Sequence, residues 1–202
     1  MKERLFHVSE DATIRVFEPR AASFYSDKLK DNVVFAINDQ MLHNYLLPRN
    51  CPRVTFYAGE ATTDTDKKKF FGVSSARYII AVEAAWLHAI QRTVLYCYEF
   101  LPETFTLFDE CAGYYISKSP VVPVAEKPVY NLMESLLQRN VELRFMPSIA
   151  VFGEEVKKSS LQFSLIRMRN IKKEAGNSID IMDSYSWPIH PDLTIHDLKN
   201  RK

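Results

Sequence analysis

The chain holds 202 residues, 47% of them apolar and 25% charged, with 26 basic against 25 acidic side chains and a formal net charge of +1. That length and balance suit a globular protein with a sizeable core, and they exclude a largely disordered, collagen-like or coiled-coil chain. Near-neutrality gives no global electrostatic case for nucleic acid or an anionic membrane as partner.

Leu5-Phe6-His7-Val8 predicts a short strand that ends in the polar turn Ser9-Glu10-Asp11. Ile14 to Phe17 reads as a second extended piece, stopped by Pro19. The continuous apolar run from Val33 to Ile37 suits a buried strand. Asn38 or Asp39 then caps a helix carrying Met41, Leu42, Tyr45 and Leu46, which Pro48 and Pro52 close. Arg53 to Tyr57 predicts a strand, and Thr62 or Thr63 caps a charged helix through Lys67-Lys68-Lys69, read as a solvated face. Tyr78 to Val82 predicts a strand, followed by a helix with Trp86, Leu87 and Ile90.

Thr93 to Phe100 is the clearest β run, rich in β-branched and aromatic residues. Phe105 to Phe108 and Tyr114 to Ser117 suggest two more strands. Leu132, Met133, Leu136 and Leu137 mark an amphipathic helix over 129–139, and Val141 to Phe145 a last strand. A long helix is expected from Ser148 to Glu174, and 176–202 reads as a polar, loosely packed tail. The expectation is one α+β domain over 1–175, with a mainly antiparallel, split β-sheet, interspersed helices and that long C-terminal helix.

The opening residues carry no secretory signal pattern, and no run of about 18 apolar residues suits a membrane span. Cys51, Cys97 and Cys111 are widely spaced with no CxxC pair, which points to free thiols, Cys97 in the core, and a cytoplasmic location. The five glycines form neither a GxGxxG nor a GxxxxGK[ST] loop, and no HExxH, EF-hand or GxSxG pattern occurs. The five histidines lack metal-ligand spacing, so no metal site is expected. These absences leave sites assembled from distant single residues.

Three such constellations stand out. His7 lies in an apolar strand with Ser9 on the same face, so its imidazole can orient a ligand hydroxyl or amide while Ser9 supplies another hydrogen bond. The competing reading is a satisfied core histidine. On the long helix, at about 100° per residue, Ser160, Ser164 and Arg167 form a polar stripe between apolar flanks. A guanidinium there needs a carboxylate, a carbonyl cluster or an anionic ligand. Asp109-Glu110 enters a glycine-containing turn before Tyr114, Tyr115 and Ser117. Glu110 can stabilise an oxocarbenium-like transition state and Tyr114 or Tyr115 can stack on a flat ring, or the turn is simply solvated.

LFHVSED, FEPR, VVFAIND, NCPRVTF, LYCYEF, AGYYISKSPVVP and FSLIRMRN, in that order over residues 4–171, resemble a family of small bacterial proteins with a domain of unknown function. More distantly, His7 and Ser9, Phe35-Ala36, and the series Tyr115, Ser117, Pro120 and Pro123 resemble the ADP-ribosyltransferase-like fold, which includes the RNA 2'-phosphotransferases. That resemblance implies a split antiparallel sheet and a pocket for NAD. It gives His7 the ribose, Ser9 the carboxamide, Tyr115 a stacking role, Arg167 the phosphate and Glu110 the developing cation. The transferases carry a glutamate near where Gly113 stands, with Glu110 displaced upstream. The phosphotransferase branch relies on arginines, for which Arg15, Arg20 and Arg167 are the candidates. No cofactor follows from the residues alone, and NAD is the one the resemblance implies. A non-catalytic interaction module, its final polar stripe structural and its aromatic residues facing a partner, is the competing class.

Overall fold

The computed structural model describes residues 3–21, 29 and 31–172. In chain order the elements are β1 (Leu5–Ser9), β2 (Val34–Asn38), β3 (Arg53–Tyr57), α1 (Asp64–Phe71), β4 (Tyr78–Glu83), α2 (Leu87–Arg92) and β5 (Leu95–Phe100). There follow β6 (Thr106–Asp109), β7 (Tyr114–Ser117), β8 (Ala125–Val129), α3 (Leu132–Leu137), β9 (Val141–Met146), α4 (Ala150–Lys157) and β10 (Gln162–Ile166). The fold is α+β with mainly antiparallel pairing, as the sequence indicates. The expected tail over 176–202 lies outside the described residues.

Two units share the chain, one from the described residues of Met1–Arg49 and His88–Arg139, the other from those of Asn50–Leu87 and Asn140–Lys202. The first is built on a six-stranded sheet in the order β6-β7-β2-β1-β5-β8, with every pair antiparallel. The period of two puts Leu5, His7 and Ser9 on one face, level with Phe100, Tyr98 and Tyr96. Leu5, Val34, Ala36, Tyr98 and Phe100 form the core on this face, and Phe17 and Val121, bridged to each other, pack with them. The Phe17 ring stands 4.8 Å from His7, 5.1 Å from Tyr98 and 5.0 Å from Phe100. Thus the extended piece expected at Ile14–Phe17 makes only this isolated bridge, yet its phenyl ring anchors the core.

The second unit holds a four-stranded sheet in the order β10-β3-β4-β9, antiparallel except for β4 with β9. All six β4 residues are buried, as befits a central strand covered on both faces. Val54, Phe56, Ile79 and Ala81 meet Phe70 of α1, Val156 of α4 and Leu165 of β10 in its core.

The long C-terminal helix is not there. Its first part is the two-turn helix α4, 162–166 is strand β10, and Met168–Asn170 is a single 3₁₀ turn; Glu174 lies outside the described residues. The cause is local and tertiary together. Ser159 Oγ donates to Val156 O at 2.6 Å, and the Ser160 N–H and hydroxyl donate to Asp66 Oδ2 at 2.7 and 2.6 Å. These serines thereby draw the backbone out of the helix. Gln162 to Ile166 then pair residue for residue with Tyr57 to Arg53. The helix expected after Asn38 is likewise reduced to a 3₁₀ turn over Leu42–Tyr45. Asn38 Oδ1 does accept the Met41 N–H at 3.1 Å, but Pro48 keeps residue 47 out of helical geometry and leaves too few residues to sustain an α-helix.

Asp66 ties α1 to the chain entering β10. The Ser160 bonds, the hydroxyl first, hold its carboxyl below the ordinary carboxylate range. A carboxyl whose folded pKa is depressed stabilises the fold above its unfolded pKa and loses that contribution as pH falls through the lower folded value. Asp66→Asn is therefore expected to lower stability at pH 7 and to show a shallower further loss below about pH 4 than the wild type. Urea unfolding at the two pH values measures both effects.

Candidate functional site

The ladder between β1 and β2 comprises only Leu5↔Asn38 and Phe6↔Ile37, whereas β1 pairs with β5 along its whole length. Where the β2 ladder ends, His7 Nδ1 lies 2.9 Å from the Phe35 carbonyl oxygen. A carbonyl can only accept, so Nδ1 carries the proton, and in a neutral ring Nε2 is a bare acceptor. Burial pushes the imidazole below its ordinary value; the Phe35 carbonyl opposes that, and the charges of Arg49 and Arg20 reinforce it. His7 is accordingly neutral at pH 7, and no described residue bonds its Nε2. Imidazole ¹⁵N spectra are expected to show a single Nδ1–H tautomer at pH 7. A depressed histidine pKa also means that the unfolded chain takes up the proton first on acidification. Stability from this group thus falls as pH drops below about 6.5.

Ser9 shares the His7 face, but its Oγ accepts the Asp11 N–H at 3.1 Å, and Asp11 Oδ1 in turn accepts the Thr13 N–H and hydroxyl, each at 2.7 Å. The Ser9 oxygen thus shapes the turn, and its O–H remains a donor. Tyr115 stands level with Ala36 across β7 and β2. Continuing the β1–β2 register brings His7 level with Ala36, so Tyr115, Ala36, His7 and Tyr98 form one row on one face. Two strand spacings put the His7 and Tyr115 backbones about 10 Å apart, with small Ala36 between them.

The Tyr115 hydroxyl is pushed up to about 12, first by burial, then by a hydrogen bond to Glu3 and the charges of Glu3 and Glu110. Glu110 is exposed in the β6–β7 turn, where its carbonyl accepts the Gly113 N–H at 3.2 Å. Asp109 Oδ1 accepts the Ala112 N–H at 2.9 Å. Asp109 therefore shapes the turn, and the Glu110 carboxylate faces solvent within electrostatic reach of Tyr115. Glu3, which the sequence did not single out, joins it there.

Arg167 belongs to the other unit. It is half-buried and left-handed, with φ 56°, at the step from β10 into the 3₁₀ turn. The helical stripe with Ser160 and Ser164 does not form; Ser164 is buried on β10, and Thr55 Oγ1 donates to its carbonyl at 3.5 Å. Arg49 was missed altogether. It is an exposed residue between Pro48 and Asn50, and only a contact across 39 positions, its N–H on Glu10 Oε1 at 2.8 Å, sets it beside the end of β1.

Cys51, Cys97 and Cys111 are free thiols. Burial pushes Cys51 up to about 12 and Cys97 to about 11, so neither offers a thiolate nucleophile at neutral pH. Cys97 is half-buried on the sheet face opposite His7. No helix among the described residues is long and apolar enough to cross a membrane. No group of three or more metal-ligating side chains occurs among the described residues.

The molecule is thus an α+β protein whose six-stranded sheet holds a neutral, tautomer-locked histidine in a row with a tyrosine. The chain belongs to DUF6886, a family of unknown function, whose model matches residues 6–171. That span contains all five residues first singled out, together with Arg20 and Arg49. No curated protein and no solved structure matches the chain.

Proposed function

We propose that the six-stranded unit binds a ribose-bearing nucleotide of the NAD or ADP-ribose class, with His7 Nε2 accepting a hydrogen bond from a ribose hydroxyl. The observation that carries this reading is the Nδ1–Phe35 bond, which fixes Nε2 as an acceptor in a neutral ring. The Ser9 O–H donates to a carbonyl-type acceptor such as a carboxamide, and the Tyr115 ring offers a face to a flat heterocycle. The Glu110 carboxylate, beside Tyr115, would stabilise positive charge as a glycosidic bond breaks. In the competing reading the chain is a non-catalytic interaction module whose aromatic residues face a partner; the helical stripe that reading takes as structural is replaced by strand β10. Three free thiols suit a reducing compartment, and the cytoplasm is the location proposed.

Calorimetric titration with NAD and with ADP-ribose tests the reading. Saturable binding to the wild type that His7→Ala weakens about tenfold supports it. No heat from either ligand up to about a millimolar overturns it in favour of another ligand or a binding module.

A further inference from the structure

At the end of the sheet where β1 finishes and antiparallel β2 begins, two arginines are fixed by their backbones. Arg20 exchanges two hydrogen bonds with Val33, its N–H to Val33 O at 3.1 Å and Val33 N–H to its carbonyl at 2.9 Å. Arg49 donates its N–H to Oε1 of Glu10, the residue directly after β1. Both residues are exposed, and among the described residues no carboxylate pairs with either guanidinium. The Oε1 of Glu10 is engaged by the Arg49 backbone. The charges of both arginines reach the His7 ring.

We infer that Arg20 and Arg49 form a phosphate seat beside His7, so that the unit takes a phosphorylated, hydroxyl-bearing ligand with its phosphate or pyrophosphate on the two guanidiniums and a neighbouring sugar hydroxyl on His7 Nε2. The division follows from donor and acceptor chemistry. Guanidinium groups present only donors, in a planar fork that matches phosphate oxygens. Nε2 is an acceptor and repels an anionic oxygen, but it takes an O–H from the adjoining sugar. Two like charges held at one strand end, with no carboxylate partner among the described residues, are relieved by a dianion. The seat deepens the nucleotide reading and rests on it for the sugar and base, whereas the anion chemistry stands on the arginines alone.

The test titrates inorganic pyrophosphate, and separately ADP-ribose, into the wild type, Arg20→Ala, Arg49→Ala, His7→Asn and, as a surface control, Arg92→Ala. Thermal melts confirm that each variant is folded. Pyrophosphate is expected to bind the wild type and to weaken about tenfold in each of the first two variants. It should be unchanged in Arg92→Ala and in His7→Asn, while His7→Asn weakens ADP-ribose. Pyrophosphate binding that is absent from the wild type, or no weaker in either arginine variant, overturns the seat. Pyrophosphate binding lost with the arginines, with ADP-ribose held no tighter than pyrophosphate, upholds the seat and removes the nucleotide reading instead.

Discussion

Gly113→Ala is expected to destabilise the protein by about 3 kcal/mol and to lower its melting temperature by roughly 10 °C. Gly113 closes the β6–β7 turn with φ 70°, in the left-handed region that costs any L side chain energy. Space is the larger problem. A Cβ would stand 2.5 Å from Asn38 Oδ1 and 2.9 Å from both Asn38 Cγ and Met41 Cγ. Asn38 is not free to swing aside, because its Oδ1 accepts the Met41 N–H at 3.1 Å and its own N–H donates to Gly113 O at 2.9 Å. The methyl group therefore forces β7, the end of β2 and the following 3₁₀ turn apart.

Gly72 supplies the comparison. Its φ is 59°, as befits the residue after a helix, but no atom of the described residues lies within 4 Å of where a Cβ would stand. Gly72→Ala should carry only the backbone strain, about 1 kcal/mol, and a fall of roughly 3 °C. Scanning calorimetry of the two variants separates strain from crowding. Equal losses would contradict the close approach at Gly113.

The second large effect lies in ligand affinity at His7. Asn places its Nδ2 near where the histidine has Nδ1, so His7→Asn keeps the donor to the Phe35 carbonyl while removing the Nε2 acceptor and part of the ring packing on Phe17. It is expected to weaken ADP-ribose about tenfold while changing stability by less than about 1 kcal/mol. His7→Ala loses the acceptor, the donor and the packing on Phe17 at 4.8 Å. It should weaken the ligand similarly but cost roughly 2 kcal/mol in stability. Urea unfolding and titration on the same two proteins distinguish the roles. If both variants lose stability and neither loses affinity, His7 is a core histidine.

Much of the sheet structure could be read from local pattern. Arg53–Tyr57, Tyr78–Val82 and the run ending at Phe100 are β-branched and aromatic segments bounded by turn residues, and each is a strand. Thr63 caps α1 with its hydroxyl on the Asp66 N–H at 3.2 Å, one of the two threonines expected to do so. Residues 161–168 defeated the local reading because Leu161, Leu165 and Met168 fit a helical face while Gln162–Ile166 also fits a strand. Pairing with β3, more than a hundred positions away, decides between them. Strand β8 escaped notice for the opposite reason. Ala-Glu-Lys-Pro-Val has little apolar character, and Pro128 is tolerated because β8 pairs only with β5, at the sheet edge.

The site divides along the same line. His7 and Ser9 are two apart on one strand, so their shared face follows from the pleat alone. Tyr115 joins their row only through the registers of β2 with β1 and β7, which no local pattern encodes. Arg20 carried a hint from its motif. Arg49 carried none, since its place depends on a side-chain contact with Glu10 across a loop.

The most direct measurement follows the His7 imidazole ¹⁵N resonances while ADP-ribose is added to the wild type. Bound ligand should move Nε2 as it accepts a hydroxyl hydrogen bond, leave Nδ1 protonated on the Phe35 carbonyl, and saturate below about a millimolar. Nε2 unmoved at that concentration, or moved by the same amount in the Arg20→Ala, Arg49→Ala double variant at equal ligand, would contradict a phosphorylated nucleotide held between His7 and the two arginines.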